Sequence, residues 1–315
     1  MSPRRGESIV PDAEFRSYYG RQIIKSPTWK VPDVPLYLFL GGLAGGSAAM
    51  AGLADLTGRP ALRRTGRIAA AAGAGASVLA LVHDLGRPLR FLNMLRVLKP
   101  TSPLSVGSWI LAPFSGLTAA AAAGELSGLL PGPGRLAGAA AAVLAPAMTT
   151  YTAVLLADTA VPGWHEVHRE LPFLFAGSAV SSAGGVALLT TPVAEAGPAR
   201  RMAITGAVVE LAAEHRMLRR AGLVAEAYDT GTPGRLLRAA RALTWVGAAA
   251  SALAGRNRTI AAAAGLCLAV GGAATRFGIF EAGRVTARDP RYTVIPQRER
   301  LEGRTGSPAA RQDEE

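Results

Sequence analysis

The sequence predicts an all-α integral membrane protein with eight transmembrane helices, and three observations carry the prediction. Half of the 315 residues are hydrophobic and only 18% are charged, where a soluble protein carries about 25%. Blocks of Ala, Leu, Val and Gly alternate with short segments that hold most of the Arg, Pro and Asp. Each block runs to about 20 residues, enough to cross roughly 30 Å of hydrocarbon.

Residues 1–35 are polar, with Arg4, Arg5, Arg16, Arg21, Lys25 and Lys30 beside Tyr18, Tyr19 and Trp29. Such a lead-in lies on the membrane surface with its rings at headgroup level. It has no early apolar run, so a cleaved signal peptide is not expected. The first span falls at about 36–56, where Gly41, Gly45 and Ala49, and also Gly42 and Gly46, recur every four residues. Small faces of this kind let a second helix approach closely. The second span is about 67–83 and the third about 107–130. The fourth, about 134–157, carries Pro146 and then a polar patch from Thr149 to Thr152. Four further spans are expected at about 171–191, 199–218, 239–255 and 259–280. The seventh is short, because Arg241 and Arg256 bracket it. The tail, 284–315, mixes Arg, Pro, Gln and Glu without periodicity and is expected to be disordered beyond about 295.

An even number of spans puts both termini on one face. With the lead, the tail and alternate loops on that side, it holds 24 of the 34 Lys and Arg, against 9 opposite. The positive-inside rule then makes the termini cytoplasmic in a multi-pass protein of the cell membrane. The first short loop is a local exception, since Arg59, Arg63, Arg64 and Arg67 crowd the opposite side. The formal charge of +12 is accounted for by these loops, and basic loops interleaved with spans argue against nucleic acid.

Ionisable groups inside a span are costly and find partners or water. His83 and Asp84 end the second span, followed by Arg87 and Arg90 in the basic, proline-broken connection 83–109. Two readings fit: a carboxylate–guanidinium pair that pins the loop, or proton exchange with a bound molecule. Tyr151 is an interfacial belt residue or a hydrogen-bond donor to a ligand carbonyl. Glu210 and Glu214 share a helical face, and either form a proton path or pair with Arg276 or Arg241. Arg276, with Glu281 nearby, is explained by snorkelling toward the cytoplasmic face.

Other chemistries lack their residues. Cys267 is the single cysteine, so the chain offers neither a cysteine-ligated iron–sulfur cluster nor a CxxCH haem site. His83 and His215 form the one plausible bis-histidine haem pair, and nothing in the spacing demands it. There is no HExxH, Walker A or GxSxG pattern.

Three stretches carry a resemblance: YYGRQIIKSPTWKVPDVPLYLFLGGLAGG, the loop DLGRPLRFLNMLRVLKPTSPLSVGSW, and Tyr151 with the LLADTAVPGW that follows. They resemble the NrfD-like polysulfide-reductase membrane subunits, over roughly residues 18–285. The resemblance implies two four-helix bundles, here 36–157 and 158–283, and a quinone site in the first. It implies that Tyr151, Asp84 and Arg87 contact the quinone, menaquinone or another, with His83 added to that set as a proton exchanger by its place beside Asp84, and that the chain itself carries no haem or cluster. It further implies a ferredoxin-like iron–sulfur subunit and a molybdenum-type catalytic subunit as partners, beside membrane lipid. Glu210, Glu214 and Arg276 are the expected proton relay. The first-span Asn and His of some members are absent, leaving Gly, Ala, Ser47 and Tyr37. Two alternatives stand beside this reading: a transporter whose path runs past Glu210, Glu214 and Arg276, and an anchor with no quinone of its own.

Overall fold

A computed structural model describes residues 22–87, 89–255 and 257–305, with backbone alone for 301–305. The lead-in residues Arg4, Arg5, Arg16, Tyr18, Tyr19 and Arg21, and the tail past 305, lie outside the described residues. Among the described residues the regular structure is all helix: α1 (Asp33–Leu56), α2 (Pro60–Leu85), α3 (Leu89–Met94), α4 (Pro103–Ser127), α5 (Pro131–Ala157) and α6 (Pro162–His165) come first. The chain continues with α7 (Leu171–Thr190), α8 (Gly197–Arg220), a 3₁₀ turn at Gly222–Val224, α9 (Ala225–Asp229), α10 (Gly231–Leu253), α11 (Arg258–Arg288) and α12 (Arg291–Thr305).

Helix ends follow local chemistry. Proline opens α2, α4 and α5, where its missing N–H would have no intrahelical partner in any case. Gly86 and Gly128 close α2 and α4 with left-handed backbone, which a side chain would strain. Asn257 accepts from the amides of Thr259 and Ile260 and so starts α11.

Six helices, α1, α2, α4, α5, α7 and α11, are long and apolar enough to cross a membrane. Helices α8 and α10 overlap the expected sixth and seventh spans but fall short in composition. Helix α8 carries Glu210, Glu214 and five arginines, and α10 carries Arg235, Arg238 and Arg241.

Helices α1 and α7 occupy the middle. On α1 the Gly45 face meets α5, and the Gly46 face meets α7 so closely that a Cβ at Gly46 would sit 2.7 Å from the Ala179 carbonyl oxygen. The four-residue glycine spacing therefore serves two separate helix crossings. Lipid tails are as apolar as leucine, so such close backbone packing supplies attraction that hydrophobicity cannot supply inside a bilayer. One core cluster runs from Tyr37, Leu38 and Tyr151 to Trp164, Phe175 and Phe280. A second, toward the other end, joins Met50 and Leu62 to Ala187 and Leu268. Both draw on residues from each side of position 157.

Two differences from expectation have clear causes. The second helix begins at Pro60 rather than 67, taking Arg63, Arg64 and Arg67 into its first turns. Two of these are neutralised: Arg63 lies 3.0 Å from Asp55 and 3.1 Å from Glu125, and Arg67 lies 2.8 Å from Glu125. Arg135 adds a contact to Asp55 at 3.2 Å. The local exception to the positive-inside pattern is thus largely a paired network. At the other terminus, α11 runs on to Arg288 and α12 continues to Thr305 where disorder was expected. Arg291 ties this segment down, 2.7 Å from Asp289 and 3.0 Å from Glu226.

Candidate functional site

The start of α1, the end of α2 and the end of α5 meet at one face of the protein, referred to below as the His83 face. Asp33 stands in the first turn of α1, where an acid also complements the helix dipole. Its carboxylate is 2.7 Å from His83 Nδ1, and the His83 ring is otherwise exposed while Asp33 is largely covered. Asp84 accepts a 2.8 Å hydrogen bond from the Lys30 backbone amide, and Lys30 Nζ donates to the His83 carbonyl at 3.3 Å. The end of α2 is therefore held to the segment that leads into α1.

One turn deeper on the same face of α1 sits Tyr37, four residues after Asp33. Its hydroxyl is 2.5 Å from that of Tyr151 on α5, with the rings edge to face at 6.4 Å. Both side chains are buried. Ser77 of α2 donates to the Tyr37 carbonyl at 3.1 Å, which fixes α2 against the same turn. Glycine at 107 makes room for the Tyr151 ring, since a Cβ there would lie 2.7 Å from its Cε2. The serine–glycine entry into α4 is thus shaped around Tyr151.

A phenol pair of this kind has a definite donor balance. Each hydroxyl carries one proton and two acceptor sites, and one proton is used between them. The second proton remains available to another acceptor, and the pair can carry it in either orientation.

The lead-in also straps the site to the other half of the molecule. Trp29 stacks on Trp164 at 5.5 Å and on Phe280 at 6.3 Å. Trp164 Nε1 donates to the Ile279 carbonyl at 2.9 Å, and Gly163 donates to Thr286 Oγ1 at 3.0 Å. Tyr228 donates to the Gly163 carbonyl, and burial pushes its phenol above the usual tyrosine range.

Of the expected site residues, Tyr151, His83 and Asp84 are brought to this region. Arg87 is exposed and forms no ion pair among the described residues. The expected carboxylate–guanidinium pin at 84–90 is replaced by the Lys30 amide, because the loop arginines turn outward while the lead-in crosses over Asp84. Asp33 escaped sequence reasoning altogether. Its signal was positional: an acid at the start of α1, one turn before the single tyrosine of that span.

Two residues of the Thr149–Thr152 patch are satisfied within their own helix. Thr149 and Thr150 donate to the Pro146 carbonyl at 2.9 and 2.8 Å, the back-bonding pattern of helical threonines. Thr152 is buried with its hydroxyl unpartnered.

Glu210, Glu214 and Arg276 form two arrangements rather than one. Glu214 pairs with Arg241 at 2.9 Å toward the outside. Glu210 is buried and accepts from Thr275 Oγ1 at 2.8 Å and Ser181 Oγ at 3.1 Å. Arg276 does not snorkel: it is 1% exposed, donates to the Phe175 carbonyl at 2.7 Å and stacks over that ring at 3.8 Å. Gly42 of α1 leaves space for its guanidinium, and its Nε and Nη1 lack partners. Glu281, its expected neighbour, pairs with Arg284 at 2.7 Å instead. Among the described residues no three His, Cys, Asp or Glu converge as a metal site would require.

The sequence model of the polysulphide reductase NrfD family matches residues 23–225. No curated protein matches the chain. The family match takes in the end of the lead-in, the tyrosine pair, the His83 face and the whole of α8, well over half of the sequence. The chain therefore belongs to the polysulphide reductase NrfD family, the membrane subunits of oxidoreductase complexes.

Proposed function

We propose that this chain is the quinone-interacting membrane anchor of a multi-subunit oxidoreductase. In this reading α8 and α10 complete eight spans in two four-helix bundles, with both termini cytoplasmic. The observation that carries it is the buried Tyr37–Tyr151 hydroxyl pair, one helical turn beneath the His83–Asp33 contact. Its donor set suits a quinone carbonyl, because one phenolic proton is left over after the two hydroxyls bind each other. A bound quinone, menaquinone by preference, supplies the capacity to take up two electrons and two protons. Tyr37 and Tyr151 hold and orient its oxygen. Exposed His83 meets water one turn above, oriented by the covered carboxylate of Asp33. Asp84, through Lys30, keeps the lead-in closed over the end of α2, and exposed Arg87 serves the docked partner rather than the quinone.

The electrons come from a ferredoxin-like iron–sulfur subunit attached to a molybdenum-type catalytic subunit. The connection between α2 and α4 supports such docking. Leu89, Leu92, Val97 and Leu98 are exposed there beside Arg87, Arg90, Arg96 and Lys99. An apolar patch rimmed by cations suits a protein partner with an acidic edge.

Glu210, Glu214 and Arg276 are proposed as a proton-holding set of the second bundle. The unpartnered Nε and Nη1 of buried Arg276 also favour a second reading, a translocation path through these residues. Donor:quinone reductase activity of the purified complex separates the two. Quinone anchoring predicts that Tyr151→Phe and Asp84→Ala lower turnover in an assembled complex while Glu210→Gln leaves binding of quinone intact. Activity unchanged in the first two variants, with loss only in Glu210→Gln, would favour the translocation path.

A further inference from the structure

We infer that the groove between α7 and α8 at the His83 face binds an anionic phospholipid, headgroup on an arginine cluster and acyl chain below it. The groove encloses about 620 Å³. Its mouth is formed by Arg169, Arg216 and Arg220 around Glu170, and its walls by Phe173, Val209, Ala212 and Ala213.

Charge selects the headgroup. Three guanidinium groups face one carboxylate: Arg216 and Arg220 both reach Glu170 Oε1, each at the long distance of 3.5 Å. Arg169 is exposed and makes no ion pair among the described residues. Glu170 is 6% exposed at its side chain, whereas Arg216 and Arg220 are 64% and 52% exposed. The carboxylate thus sits behind the arginines and orients them outward, leaving about two positive charges unmatched. Guanidinium forks suit phosphate oxygens, and basic pockets between spans on the cytoplasmic side suit anionic headgroups.

Position selects a lipid over a soluble anion. Arg169 and Glu170 immediately precede α7, and Arg216 and Arg220 are the last turns of antiparallel α8, so the cluster lies at headgroup level. Val209 is seven residues before Arg216, about 10 Å deeper along the helix. Phe173 and Val209 are exposed on the sides of α7 and α8, which face hydrocarbon in the eight-span reading proposed above, on which this inference rests. A ligand with a phosphate at one end and an alkyl chain at the other matches both parts of the groove. The arginines at i and i+4 on α8, which help keep that helix below the composition of an ordinary span, then have a counter-ion in the membrane itself.

The test uses the full chain, purified and delipidated in a neutral detergent, with bound lipid counted by native mass spectrometry. Phosphatidylglycerol and phosphatidylcholine of the same acyl chains are offered in equal amounts, with and without free glycerol phosphate. Wild type is expected to retain phosphatidylglycerol over phosphatidylcholine, with each guanidinium removed lowering that preference about fivefold. Arg216→Gln/Arg220→Gln should lower it by the product of two such steps, while Arg219→Gln, on the same turn but outside the groove, should not. If the double variant fails to fold, Arg169→Gln, which breaks no ion pair, should still give the single step. Equal retention of the two lipids by wild type, or wild-type preference in both the double variant and Arg169→Gln, would overturn the proposal. So would displacement by free glycerol phosphate at matched concentration, which would mark a soluble-phosphate site.

Discussion

Removing the hydroxyls of Tyr37 and Tyr151 one at a time and together isolates the contact on which the account turns. At 2.5 Å, with both rings buried, each hydroxyl is the other's side-chain partner among the described residues. A buried hydrogen bond contributes about 0.5–1.5 kcal/mol net, and a buried polar group left alone costs about 1–3 kcal/mol. Within membranes the measured couplings are smaller, averaging about 0.6 kcal/mol. Tyr37→Phe and Tyr151→Phe should therefore each lower stability by about 1–2 kcal/mol. The double variant, which leaves no orphaned hydroxyl, should lose clearly less than the sum, with a coupling energy of about 0.5–1 kcal/mol. Reversible unfolding in mixed detergent micelles reads all four corners of the cycle. Strict additivity would refute the reasoning, because it would mean that the two hydroxyls do not depend on each other.

Three further outcomes follow from the same packing. At Gly283 an added Cβ would lie 2.0 Å from the Trp164 ring, so Gly283→Ala should cost about 1–3 kcal/mol and shift tryptophan fluorescence as the Trp29–Trp164 stack opens. Asp84→Ala removes the acceptor for the Lys30 amide, and limited trypsin digestion should then cut at Lys25 or Lys30 faster than in wild type at nearly unchanged global stability. Burial raises the Tyr228 phenol above its ordinary 10.0, so the folded state keeps this proton when the unfolded chain has lost it. Stability from Tyr228 is fully present below about pH 10 and is lost as pH rises through the folded value. Unfolding midpoints measured from neutral to alkaline pH should show that loss in wild type and a shallower one in Tyr228→Phe.

Helix positions were legible because apolar blocks and prolines mark them, and the glycine spacing in the first span correctly indicated close packing. Ends were less legible. Arg63 and Arg67 looked like loop residues until Asp55 and Glu125, distant in sequence, were seen to neutralise them inside α2 and beside it. Periodicity could not reveal that pairing. The same limit explains Arg276, read as snorkelling because a buried guanidinium is costly. Its stack on Phe175, and the opening that Gly42 provides, depend on three helices meeting. Tyr151 and Asp84 were picked out by residue type and by resemblance, yet their partners Tyr37 and Lys30 lie on α1 and in the segment leading into it, far away in sequence. Asp33 was overlooked for the same reason: an acid at a helix start has an ordinary capping role until its contact with His83 is seen.

The most direct measurement is menaquinone binding to the purified chain in detergent, quantified by extraction after gel filtration. The account predicts near-stoichiometric retention by wild type and loss of at least tenfold in affinity for Tyr37→Phe/Tyr151→Phe, with the folded fraction unchanged, a difference of about 1.4 kcal/mol. Equal retention by the folded double variant would contradict it.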